Sequence, residues 1–142
     1  MTYAKGMPSD SHRLARAVAR LNRRLRQERD IDLTPTQLAV LGTVRMMGPV
    51  TPSAIAEREG VRPPSITRTL NCLVDDGYVL REPHPDDRRQ VLVRLSDKGE
   101  DLVDELRHRR DAWLDARLSA LTVEERATLR AASDLLERLA TE

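Results

Sequence analysis

Three proline-led helix starts crowd the middle of the chain and leave little freedom for what lies between them. Thr34-Pro35-Thr36-Gln37 is a capping box with proline at the first helical position. Thr51-Pro52 repeats the threonine cap, and Pro63-Pro64 opens a further helix, since proline is tolerated only in a first turn. Gly48-Pro49 stops the first helix near Met47, Gly60 ends the second, and Gly77 bounds the third. Beyond it, Val79 to Glu82 and Gln90 to Leu95 are strand-like, with Val91, Val93 and Leu95 alternating against Gln90, Leu92 and Arg94. Pro83-His84-Pro85-Asp86-Asp87 supplies turn chemistry between them. The stretch from Thr51 to Ser96 therefore predicts two short helices followed by a β-hairpin.

Longer helices flank this middle. His12 to Arg29 carries Leu14, Val18, Leu21 and Leu25 on one face, with arginines filling much of the remainder. Such a narrow apolar seam suits a monomer's core or a helix from a second subunit equally well. Ser96 caps a helix from about Lys98 to Ser119, and Thr122-Val123-Glu124-Glu125 is a second full capping box. The helix it opens holds Leu129, Ala132, Leu135, Leu136 and Leu139. Leu-rich helices at both termini around a compact middle give a dimeric layout more than a monomeric one. The 142 residues suit one domain. No apolar run approaches the roughly 18 residues of a membrane span, Met1–Arg13 has no apolar core for a signal peptide, and one Cys precludes an internal disulfide. The expectation is a cytoplasmic protein with no membrane partner.

The net charge of +1 argues weakly for a polyanionic partner, but the charges are segregated. Residues 1–30 hold eight Lys/Arg against three acids, residues 31–95 eight against eight, and residues 96–142 eight against twelve. Placement within the neutral middle must decide whether it can hold phosphate. At about 100° per residue, Ile66, Leu70, Leu73, Val74 and Gly77 form one buried stripe. Pro64, Arg68, Asn71 and Asp75 lie opposite, with Ser65, Thr67 and Cys72 on the flanks. That exposed face starts with small and hydroxyl residues and carries one central arginine. Small residues allow close approach to a DNA groove, hydroxyls and helix N-terminal N–H groups take phosphate, and Arg can read guanine bidentately. A solvated face of a core helix is the plainer alternative. The hairpin shifts the balance, because Asp86-Asp87-Arg88-Arg89 projects two guanidinium groups from its tip. An arginine there fits a narrow minor groove, and Asp87 can accept a hydrogen bond from Arg89 and fix its direction.

Ser65 to Arg81 (SITRTLNCLVDDGYVLR), His84 to Arg89 (HPDDRR) and Val93 to Gly99 (V-x-L-S-x-x-G) resemble the MarR family of winged-helix regulators, over Thr34 to Gly99, about half the chain. The resemblance implies a mainly α fold: a winged helix-turn-helix at 34–96 with a small β-hairpin wing, flanked by dimerisation helices at 9–30 and 98–140 in a single domain over 1–142. It implies a homodimer on double-stranded DNA at a pseudo-palindromic operator, and so a place at the nucleoid. The implied DNA contacts are Ser65, Thr67 and Arg68 at the major groove, Asp87 and Arg89 on the wing, and Arg81 ending its first strand. Thr51, Asn71 and Arg88 join this set from the residue reading. Where the family often has a Ser cap, this chain has Arg62, placed for a phosphate or base contact. Pro63 and Pro64 replace hydrogen-bond donors, so part of the readout becomes apolar contact with a thymine methyl.

The family further implies a small aromatic or anionic effector bound between the dimerisation helices and the winged region. In this chain His12, Arg16 and Arg20 are the candidate anion partners, against a solvated basic face. A thiol-based oxidant sensor is the first alternative. That branch carries a reactive Cys on the first helix, whereas Cys72 here lies on the recognition-helix flank and is expected to be a buried or half-buried, inert thiol. A non-specific architectural DNA binder is the second alternative. The three His (12, 84, 108) lack metal spacing, and no Gly-rich phosphate loop or Ser/His/Asp set is present. No catalytic residue, metal or cofactor is expected. His84, in the wing turn, is placed for a phosphate contact.

Overall fold

The computed structural model describes residues 9–28 and 31–142. Its elements run α1 (Asp10–Gln27), α2 (Pro35–Met47), α3 (Pro52–Glu59), α4 (Pro63–Asp75), β1 (Val79–Pro83), β2 (Val91–Leu95), α5 (Asp97–Ser119) and α6 (Val123–Thr141). Arg29 and Asp30, at the expected end of the first helix, lie outside the described residues. The chain divides into two compact units. One is Ile31–Arg107; the other joins the described residues up to Glu28 with His108–Glu142.

The first unit is built from local signals that close on a shared core. Thr34 accepts from the Gln37 amide at 3.1 Å while the Gln37 side chain accepts from Thr34 N at 2.8 Å, so α2 starts on the expected box. Thr51 caps α3 through the Ala54 amide at 3.2 Å. Helix α3 ends on Gly60 at φ 65°, with Val61 N donating to Ala56 O and Gly60 N to Glu57 O. This left-handed reversal is open to glycine without strain, and it sets the tight turn into α4. Val40, Leu41, Val44, Ile55, Ile66, Leu70, Leu73, Val79 and Val93 are essentially inaccessible to water and hold α2, α3, α4 and the hairpin around one core.

Strands β1 and β2 pair antiparallel, from Val79 opposite Leu95 to Pro83 opposite Val91. Val50 adds a third rung: its N–H donates to Val93 O at 3.0 Å, and Val93 N–H donates to Val50 O at 2.8 Å. The alternation in β2 holds at Val93 and Leu95 but fails at Val91, which is exposed at the turn end of the hairpin, opposite Pro83. Arg45 ties α2 to the start of α5 through Asp104 at 2.6 Å and Glu100 at 3.4 Å.

In the second unit neither α1 nor α6 buries a single residue. Leu14, Val18 and Leu21 remain 44–47% exposed along one stripe of α1, as do Leu129, Leu135 and Leu139 of α6 at 46–64%. Thr122 and Glu125 form the second capping box as expected. Arg24 and Arg117 each lie 5.2 Å from the ring centroid of Trp113.

Candidate nucleic-acid interface

Helix α4 buries Ile66, Leu70 and Leu73 and exposes Pro64, Ser65, Thr67, Arg68, Asn71 and Asp75. The angular reading of the sequence therefore holds at Ile66, Leu70 and Leu73, while Val74 is half-buried and Gly77, also half-buried, lies beyond the end of the helix. Its entry differs from expectation in one respect. Arg62 stands at the N-cap with no side-chain capping bond, Pro63 and Pro64 carry no N–H, and the amides of Ser65 and Ile66 both donate to Arg62 O, at 3.1 and 3.4 Å. The helix N-terminal N–H groups expected to take phosphate are absent or engaged. Hydroxyl donors are also spent inside the helix: Thr67 Oγ1 donates to Pro63 O at 3.1 Å, and Thr69 Oγ1 to Ser65 O at 3.0 Å. Thr67 thus offers its methyl and a lone pair to a groove, not a proton.

The wing stands beside this helix on the same core. Arg81, at the middle of β1, donates from Nη2 to Asn71 Oδ1 of α4, so two of the candidate residues engage each other. At the tip, Arg88 is exposed and the Arg89 side chain is 92% exposed. Asp87 accepts from Arg89 N at 3.0 Å and from Arg89 Nε at 3.4 Å, as its spacing suggested. His84 is half-buried, and its Nδ1 accepts from the amides of Asp86 and Asp87. The face of the ring expected to meet phosphate is turned inward at that nitrogen. Thr51 and Arg89 line one concave surface, with Ser53, Glu57 and Gln90, between the start of α3 and the turn end of the wing. Thr51 Oγ1 is occupied as an acceptor by its capping bond, which leaves its proton to donate.

Comparison with known proteins agrees with this geometry. Residues 33–91 match the model of the MarR family. An HTH-type transcriptional regulator of Mycobacterium tuberculosis is 46% identical over 130 residues, 91% of each chain. The chain belongs to the MarR family. The multiple antibiotic resistance protein MarR of Salmonella typhimurium is 35% identical over 100 residues, 70% of this chain and 69% of its own. The crystal structure of a cysteine-to-serine mutant of MarR from E. coli superposes with a TM-score of 0.79 at 27% identity, covering 96% of this chain and 99% of that one.

As a MarR family member the chain is a DNA-binding transcriptional regulator of winged helix-turn-helix fold, and the family is one of regulators, not enzymes. No described helix is long and apolar enough to cross a membrane, and the described residues hold no cluster of three or more His, Cys, Asp or Glu suited to a metal ion. Cys72 is exposed, which corrects the expectation of a buried or half-buried thiol. It sits on the flank between the apolar stripe and the Arg68 face. His12, Arg16 and Arg20 are all exposed on α1. Arg20 lines a concavity with Arg23, Arg24 and Gln27, and Arg24 there is paired with Glu28 at 3.0 Å.

Three features of the site escaped the reading of the sequence. The Asn71–Arg81 bond joins residues ten apart across a helix end and a turn, and no local rule predicts it. The Val50 rung has no signal in so short a segment. Arg45 did leave one: it is an arginine on the apolar side of α2, four residues after the buried Leu41.

Proposed function

We propose that the protein is a ligand-responsive homodimeric repressor that binds a pseudo-palindromic operator with α4 in the major groove and the β1–β2 wing in the adjacent minor groove. The observation that carries this reading is an exposed helix face centred on Arg68 beside a hairpin whose tip presents Arg88 and Arg89, both anchored in one core. Arg68 reads a base edge, with Pro63, Pro64 and the Thr67 methyl against thymine methyls. Arg62, Ser65 and the Thr51 hydroxyl take phosphate. Asn71 and Arg81 act as a linked pair, and Asp87 aims Arg89 into the minor groove, where negative potential is greatest. The dimer rests on the apolar stripes of α1 and α6, in which no described residue is fully buried within the chain. With two-fold symmetry the half-sites lie about one helical turn apart.

Footprinting on DNA upstream of the gene, followed by titration of the protected duplex, tests this. Arg68→Ala should weaken binding by about 1–3 kcal/mol and relax sequence preference, and Arg89→Ala should weaken it with loss of A·T preference at the flanks. Unchanged operator affinity in both would sink the assignment of helix and wing. Equal affinity for operator and scrambled DNA would favour a non-specific architectural role over the roughly 10³-fold preference of a specific regulator. For the effector, calorimetry with aromatic carboxylates should show heat that falls in Arg16→Ala, Arg20→Ala or His12→Ala. Undiminished heat in all three removes these residues. The exposure of Cys72 favours a second reading, a thiol-responsive regulator; it is discarded if peroxide releases wild type and Cys72→Ser from DNA alike.

A further inference from the structure

We infer that His84 is a positioning residue for the wing tip, acting through Asp87 on Arg89. The inference rests on the proposed contact of the wing with DNA.

A chain of hydrogen bonds carries it. The amides of Asp86 and Asp87 both donate to His84 Nδ1 at 3.1 Å, and the His84 amide donates to Gln90 O at 3.3 Å. The Asp87 backbone held in this way presents its carboxylate to Arg89 N at 3.0 Å and Arg89 Nε at 3.4 Å, and to Gln90 Nε2 at 3.4 Å. A side-chain acceptor serving amides two and three residues onward is the arrangement usually made by Asn or Asp in a turn. Here an imidazole fills that role between Pro83 and Pro85, the second of which supplies no N–H of its own.

A neutral imidazole has one donor nitrogen and one acceptor. Two amides aimed at Nδ1 assign the proton to Nε2. Removing that acceptor would lose both turn bonds together and release the Asp87 carboxylate from the position in which it meets Arg89.

Variants of the full chain separate the two nitrogens. His84→Asn places Oδ1 where His has Nδ1, whereas His84→Gln reaches the Nε2 position and leaves the amides without an acceptor. His84→Asn should bind the footprinted operator as wild type does. Losing both turn bonds, His84→Gln should lose about tenfold, as Arg89→Ala does. Without DNA, exchange of the Asp87 and Arg89 amides should be faster in His84→Gln than in His84→Asn. The inference falls if His84→Gln binds as wild type while Arg89→Ala is weakened, or if His84→Asn loses as much affinity as His84→Gln. If Arg89→Ala is also silent, the wing reading has failed, and equal amide exchange in the two His84 variants would overturn the positioning role on its own.

Discussion

Exchanging glycine for alanine at Gly99 and at Gly42 should move stability in opposite directions. Gly99 is buried in the first turn of α5, and a Cβ built there overlaps the carbonyl oxygen of Tyr78, with the carbonyl carbon at 3.1 Å and Cα at 3.4 Å. Ordinary C···O approach is about 3.3–3.6 Å, so the backbone must part by an appreciable fraction of an ångström or more. Tyr78 O cannot yield freely, because it accepts from Ser96 N at 3.0 Å and leads directly into β1. Overpacking against backbone costs about 1–3 kcal/mol, and weakening that hydrogen bond adds about 1 kcal/mol. Alanine returns about 1 kcal/mol of helix propensity, for a net loss of about 2 kcal/mol. Gly42 lies exposed inside α2 with nothing within 4 Å of its added Cβ, so only the propensity remains and the variant gains about 0.5–1 kcal/mol. Urea unfolding at one fixed protein concentration measures both. Gly99→Ala as stable as wild type, or Gly42→Ala destabilised alongside it, would refute the reasoning.

Two further expectations follow from the same structure. Ser96 is buried, accepts from Gly99 N at 3.1 Å and donates to Gly77 O, so it caps α5 and closes the turn after α4 at once; Ser96→Ala should cost about 1–2 kcal/mol in the same denaturation assay, and a loss below about 0.3 kcal/mol would contradict the double role. Leu21→Glu in α1 and Leu139→Glu in α6 place charge on exposed apolar stripes and should convert a dimer to monomers by light scattering, with wild-type mass in both variants counting against the proposed interface.

What could be read in advance was local. The boxes Thr34/Gln37 and Thr122/Glu125, the proline-led starts and the Ile66–Leu70–Leu73 stripe depend on residues within a turn or two of each other, and each appears where its spacing places it. What could not be read depends on the fate of individual polar atoms. Thr67 looked like a hydroxyl offered to DNA, yet its proton is taken by Pro63 O one turn back. His84 looked like a free imidazole, yet its Nδ1 is enclosed by two amides of its own turn. Arg81 looked set to end the first wing strand and meet DNA, yet β1 runs on to Pro83 and Asn71 holds Arg81 at its middle. A residue type announces which bonds it can make; only the fold decides which of them are already made.

The entry to α4 shows why an unusual residue can stand at a capping position. A capping hydroxyl stabilises a helix by accepting from the N–H of the second or third helical residue. In α4 the second residue is Pro64, which has no N–H, and the third is Ser65, whose N–H already donates to Arg62 O at 3.1 Å. A serine at position 62 would find almost nothing to accept, so the usual loss of about 1 kcal/mol for an absent cap largely vanishes here. The same two prolines remove the amides through which a helix N-terminus holds phosphate directly, and that work passes to side chains. Arg62 fills both conditions together. It gives up a cap that the prolines had already made nearly worthless, and it returns a positive charge at the end of the helix where the amides no longer donate.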